Sequence, residues 1–99
     1  MQGPHVKESL FRAIADPQRR KILKLLQDGP RTAGQLAEDF EISKSSLSYH
    51  FNILKDADLI RSERHAQEQI YSLNTSVFES AATLLLDLFQ KPATRKQRA

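Results

Sequence analysis

Ser45, Ser48, Tyr49 and Asn52 recur at i, i+3, i+4 and i+7, the spacing that puts side chains on one face of a helix. Leu47, Phe51 and Leu54 recur at i, i+4 and i+7 between them. The helix that carries both sets is expected to bury one side and present hydroxyl, phenol and carboxamide groups on the other. A solvated helix face normally carries Glu and Lys, which are good helix formers. Serines cost helix propensity because their hydroxyls compete for the backbone. That cost is explained if the face meets a partner rich in donors and acceptors, as base edges are in a DNA major groove. The other reading is a serine-rich helix start, since Ser43, Lys44 and Ser45 stand where caps occur.

The rest of the chain is poor in reactive groups. It has no cysteine and three scattered histidines, His5, His50 and His65, with no glycine-rich phosphate loop and no paired acids on a helix face beside a base. That inventory argues against an enzyme. Without cysteine there are no disulfides, thiolate metal sites or redox thiols. His5 lies near a helix start and is expected to be exposed. His50 and His65 stand far in sequence from any acidic or thiol cluster and are better placed for DNA than for a metal.

Among the elements that must hold the polar face, Thr32 to Asp56 reads as two short helices with a tight corner, a helix-turn-helix. Thr32 with Gln35 forms a capping box, Leu36, Ala37 and Phe40 fall on one side, and Ser43 starts the second helix. Upstream, a first helix is expected from about His5 to Ala15, after an unstructured Met1 to Pro4, with Val6, Leu10, Phe11 and Ile14 as its stripe. Asp16-Pro17 starts a second, because Asp accepts free amides and Pro tolerates the first turn. It runs to about Gln27, with Ile22, Leu23, Leu25 and Leu26 buried and Arg19, Arg20, Lys21 and Lys24 charged and outward. Those bases either touch phosphate or are simply solvated. Asp28-Gly29-Pro30 ends it.

Beyond the helix-turn-helix, Leu59–Arg64 and Gln67–Leu73 read as a hairpin. A hairpin directly after such a helix is a wing, and Arg61, Arg64 and His65 on it can reach backbone or minor groove; an ordinary exposed hairpin is the alternative. Asn74-Thr75-Ser76 caps a last helix to about Gln90, whose apolar residues go most of the way round. Such a helix needs cover on more than one side. One domain of 99 residues supplies one side, so the expected cover is a second copy, through Leu10, Ile14, Phe78, Ala81, Leu85 and Leu88 of the first and last helices. Burial within the monomer is the alternative. The expected fold is mostly α with a small β-hairpin, a homodimeric winged helix-turn-helix in the order α-α-α-α-β-β-α. Residues 1–90 form its DNA-binding and dimerisation domain, followed by a basic, disordered tail at 91–99.

Net charge is +3, but four of the fifteen Lys and Arg lie in residues 91–99 with no acid, leaving eleven bases against twelve acids before them. Any attraction to nucleic acid must come from a local patch, to which the tail can add. Leu84–Leu86, the longest apolar run, is too short to span a membrane, and no charged segment followed by an apolar core opens the chain; the expected location is the cytoplasm.

AIADPQRRKILKLL, TAGQLAEDFEISKSSLSYHFNILKDADLI and IYSLN together resemble the ArsR/SmtB family of bacterial winged-helix repressors, over the span from about Phe11 to Phe89. Within it, the cysteine-free pattern is most similar to the sporulation-delay autorepressor type. The resemblance implies a homodimer that places the Lys44-to-His50 helix in the major groove, with contacts from Ser45, Ser46, Ser48, Tyr49 and His50 and from the wing at Arg64. With Lys44 and the Asn52 of the polar face, the expected DNA-binding set is complete. Three residues depart from the family pattern: Ser45 stands where Pro is frequent, Ala66 where the wing turn usually has Gly, and Tyr49 where His is common. Many members sense metals, through Cys in the helix-turn-helix or through Asp and His on the last helix. This chain has no Cys, and residues 75–90 hold Glu79 and Asp87 without His, a weak ligand set. The expectation is therefore no metal and no cofactor. The implied function is a sequence-specific, double-stranded DNA-binding repressor that occludes a promoter at an inverted-repeat operator, controlled by a regulatory partner protein or by its own concentration. A winged-helix module for protein association is the alternative.

Overall fold

The computed structural model describes residues 3–90, so the basic stretch 91–99 lies outside the described residues, as do Met1 and Gln2. The order is α1 (Gly3–Ile14), α2 (Pro17–Leu26), β1 (Arg31–Thr32), α3 (Ala33–Ala37), α4 (Lys44–Asp56), β2 (Ile60–His65), β3 (Glu68–Leu73) and α5 (Thr75–Phe89). The helix-turn-helix and wing stand where the sequence put them. Helix α1 starts two residues earlier than expected, taking Gly3 and Pro4 into a first turn whose amides have no helical partner to lose.

The sheet has three strands rather than two. Strand β1 pairs antiparallel with β3, Arg31 opposite Tyr71 and Thr32 opposite Ile70, and the order is β1-β3-β2. This third strand, missed in the sequence, ties the start of the helix-turn-helix to the wing. Its second residue then caps α3: the Thr32 hydroxyl accepts from the Gln35 amide at 3.0 Å, and the Gln35 side chain accepts from the Thr32 amide at 2.9 Å.

A tight exit carries α4 into the wing. Asp58 takes φ of +61°, its amide donates to the Lys55 carbonyl at 2.9 Å, and the Leu59 amide donates to the Leu54 carbonyl at 3.0 Å. This pair of bonds is the Schellman termination, with Asp where Gly is usual. The chain reverses at once, so that Leu59 and Ile60 drop into the core beside Leu54. The wing turn follows at Ala66, with φ of +57°.

Ile22, Leu36, Leu54 and Leu59 are the largest fully buried side chains, drawn from α2, α3, α4 and the wing. The expected inward residues of α4, Leu47, Phe51 and Leu54, are all buried. Arg19 corrects the reading of α2, since it lies buried with Ile22, Leu23 and Leu26 instead of outward. Helix α5 has no buried residue. Val77, Phe78, Ala81 and Leu84 pack half-buried on the core, while Leu86, Leu88 and Phe89 stay exposed.

Candidate nucleic-acid interface

Ser43 sets the start of α4. Its hydroxyl accepts from the Ser46 amide at 3.0 Å and lies 3.2 Å from the Ser45 hydroxyl and 3.0 Å from that of Ser46. The serine-rich helix start is therefore real, and Ser43 is its cap. Ser48, Tyr49 and Asn52 lie beyond that cluster. Lys44, Ser45, Ser46, Ser48, Tyr49 and Asn52 are all exposed, and Tyr49 keeps 53% of its surface open to solvent. They form one polar side of a helix whose opposite side is pinned into the core.

His50 is the correction. It is buried, 9% exposed, because it follows Leu47 by three residues and precedes Leu54 by four, on the inward side of the turn. Its Nδ1 lies 3.0 Å from Nη1 of Arg19. A guanidinium only donates, so this bond requires Nδ1 to accept, from a neutral ring that carries its proton on Nε2. The same guanidinium donates from Nε to the Ala13 carbonyl at 2.8 Å and from Nη2 to the Arg12 carbonyl at 2.9 Å. Arg20 donates to the Ile14 carbonyl at 2.8 Å. Arginines of α2 thus donate to carbonyls in the last turn of α1, that of Arg12 also accepting from the Ala15 amide at 3.3 Å, which also answers the negative end of the helix dipole.

Arg12 completes the polar side. Its Nη2 lies 3.5 Å from the Tyr49 hydroxyl, and the Tyr49 ring meets the His50 ring edge-on with centroids 5.5 Å apart. Asp16 caps α2 by accepting from the Gln18 amide at 2.7 Å. Burial pushes its carboxyl up, but the Gln18 amide and the charge and backbone amide of Arg19 outweigh that and hold it below the usual carboxylate range.

On the wing, Arg64 is exposed opposite Gln69, and Arg61 opposite Ser72 is exposed as well. Gln69 donates to the Ser62 hydroxyl at 3.2 Å across the strands. Exposed Glu63, 3.6 Å from His65, and Glu68 share the hairpin, so its charge is mixed. The phenol of Tyr71, on the inner side, is pushed up by burial.

Sequence reasoning missed two residues. Arg12 reaches Tyr49 across 37 positions, and nothing local announces that. Arg19 did carry a signal, because 19, 22, 23 and 26 are one helical stripe; its charge masked it. Leu10, Ile14, Phe78, Ala81 and Leu85 line one shallow apolar groove of about 90 Å³ between α1 and α5, and Leu88 lies exposed farther along α5. Among the described residues no three His, Asp or Glu side chains gather where a metal ion could sit, and no helix is long and apolar enough to cross a membrane.

Comparison with known proteins gives a consistent family. The model of the bacterial regulatory protein arsR family matches residues 16–62. The transcriptional repressor SdpR of Bacillus subtilis (strain 168) is 49% identical over 83 residues, covering 84% of this chain and 92% of that one. The transcriptional activator HlyU of Vibrio cholerae is 31% identical over 80 residues, covering 81% and 74%. The solved structure of HlyU is 30% identical with a TM-score of 0.70, covering 89% and 96%. The crystal structure of another ArsR family transcriptional regulator is 28% identical with a TM-score of 0.77, covering 86% and 88%.

Proposed function

The chain belongs to the arsR family of bacterial regulatory proteins, and from that premise we propose that it is a sequence-specific double-stranded DNA-binding repressor that occludes a promoter as a homodimer. The observation that carries this reading is the exposed side of α4, where Ser48, Tyr49 and Asn52 offer short hydrogen-bonding groups and the one acid, Asp56, is the last residue of the helix, the second of a helix-turn-helix. Hydroxyl, phenol and carboxamide groups suit base edges. Lys44 and Arg64 supply positive charge for phosphate. A surface for protein association should instead carry apolar or aromatic anchors at its centre, and this side carries one, Tyr49.

The dimer rests on α5, which is the most apolar helix and buries none of its residues in the monomer. A two-fold axis through α1 and α5 presents two copies of α4, which fits an inverted-repeat operator. Such a regulator works beside the chromosome, in the cytoplasm. Metal sensing does not fit α5, where Glu79 and Asp87 have neither imidazole nor thiolate partners in the same helix. Release from DNA is then assigned to a partner protein or to falling concentration.

Selection of bound duplexes from a random pool tests the function directly. The expected result is one enriched inverted repeat, bound far more tightly than its scrambled version. Enrichment of no sequence, with retention of a protein partner through α4, would replace this reading with the association module.

A further inference from the structure

We propose that Arg19 and His50 are a positioning pair that sets the roll of α4 about its axis, and that the pair is engaged only while the His50 imidazole is neutral. The proposal rests on the DNA-binding reading for its consequence but not for its geometry. Leu47, Phe51 and Leu54 hold α4 in the core by contacts that have no preferred direction. A hydrogen bond has one. The Nη1 to Nδ1 bond at 3.0 Å is the directional link from α2 to α4, and the guanidinium that makes it is itself fixed by the Ala13 and Arg12 carbonyls at 2.8 and 2.9 Å. Three helices therefore meet at one side chain, which is only 7% exposed.

The outcome of that link is read at the next residue. Tyr49 packs edge-on against the His50 ring and reaches Arg12 of α1 with its hydroxyl. Turning α4 by even part of a residue would swing Tyr49 and Ser48 away from where they now stand. Because α1 lines the apolar groove with α5, the same pair also ties the recognition side to the helix proposed for the dimer seam.

Acid removes the link by protonating the acceptor. A proton added at Nδ1 converts an acceptor into a donor and the ring into a cation, facing a guanidinium that offers only donors. The charged groups around it are Arg19 from α2, Arg12 from α1 and Asp16 from the α1–α2 junction. Asp16 opposes the repulsion, but its carboxylate is already committed to the Gln18 amide.

The test uses the full chain in a His5→Gln, His65→Gln background, so that His50 is the imidazole that titrates. His50→Asn keeps an acceptor at the Nδ1 position without a titrating ring, and His50→Leu fills the space without an acceptor. Without DNA, the backbone amide shifts of Ser48, Tyr49 and Asn52 should move in step with the His50 ring signals as the solution is acidified, and should stay flat in His50→Asn. With the duplex selected from the random pool, acidification should cost the His50 protein roughly tenfold in preference over a scrambled duplex, the order of one charge-assisted hydrogen bond. His50→Asn should keep its preference at both pH values, and folded His50→Leu should lack it at both. Amide shifts indifferent to the titration, or a His50→Asn protein that loses preference in step with its parent, would overturn the pair. Shifts that follow His50 in a protein that selects no duplex would uphold the pair and overturn the DNA reading.

Discussion

The ring of Phe51 lies against that of Tyr71, with centroids 4.2 Å apart and planes tilted by 30°. Phe51 belongs to the inward side of α4 and Tyr71 to the middle of β3, paired with both β1 and β2. The helix and the wing are therefore braced by one aromatic contact as well as by the tight exit at Asp58. Removing the ring leaves a cavity between them, so Phe51→Ala should cost about 3–5 kcal/mol of stability in urea unfolding. Tyr71 adds an alkaline limit. Burial raises its phenol, so the folded state holds a proton that the unfolded chain releases at about pH 10. The stability this contributes is complete below that pH and is lost as pH rises through the folded value. Tyr71→Phe should flatten the alkaline loss.

Asp16 sets the opposite limit. Its carboxyl is lower in the folded protein than in the unfolded chain, so its contribution is present above about pH 3.9 and is lost as pH falls through the folded value. Asp16→Ala should remove that acid dependence and cost about 0.5–2 kcal/mol at neutral pH, the usual effect of losing an N-cap. Thermal melts of both proteins across the acid range check it.

Among the described residues, two that are not glycine hold left-handed backbone, Asp58 and Ala66. A side chain there costs about 1–2 kcal/mol, against which glycine's extra freedom in the unfolded chain takes back roughly half. Asp58→Gly and Ala66→Gly should each raise stability by about 0.5–1 kcal/mol. A lower melting temperature in Ala66→Gly would mean that the turn draws on the alanine methyl.

Most of the fold was legible because its boundaries are local. Asp16-Pro17, the Thr32–Gln35 box and Ser43 each mark a helix start within a few residues, and the structure uses all three as caps. Strand β1 was not legible, since two residues cannot show a period of two and its partner Tyr71 lies forty positions away. The site divides the same way. Periodicity placed Ser48, Tyr49 and Asn52 together and outward. For His50 the family resemblance implies an outward, DNA-facing side chain, whereas its spacing to Leu47 and Leu54 places it inward, where the structure has it. What no local pattern could supply was the acceptor for a buried Arg19, because that bond joins residues 31 apart.

The dimer proposal makes a direct demand on α5. Leu85 lines the groove with α1, and Leu88 is exposed in the monomer. Leu85→Glu or Leu88→Glu should put an unpaired charge into the seam and yield monomers, because such a charge is not buried cheaply. Sedimentation of both variants as intact dimers would move the interface elsewhere.

Reading and holding should separate between α4 and the wing. Ser48 and Tyr49 face outward from the recognition helix, so Ser48→Ala and Tyr49→Ala should each cost about 1–3 kcal/mol on the selected duplex and little on scrambled DNA. Arg64, exposed on β2, should hold phosphate or minor groove. Arg64→Ala should weaken both duplexes alike and flatten the plot of log affinity against log salt by about one unit for each phosphate no longer neutralised. Two copies of α4 in a dimer should favour half-sites about one helical turn, ~34 Å, apart. Titrating these variants on both duplexes at several salt concentrations measures all of these effects together. If Tyr49→Ala lost affinity equally on both, α4 would be a phosphate anchor, and the reading of sequence would have to come from another part of the surface.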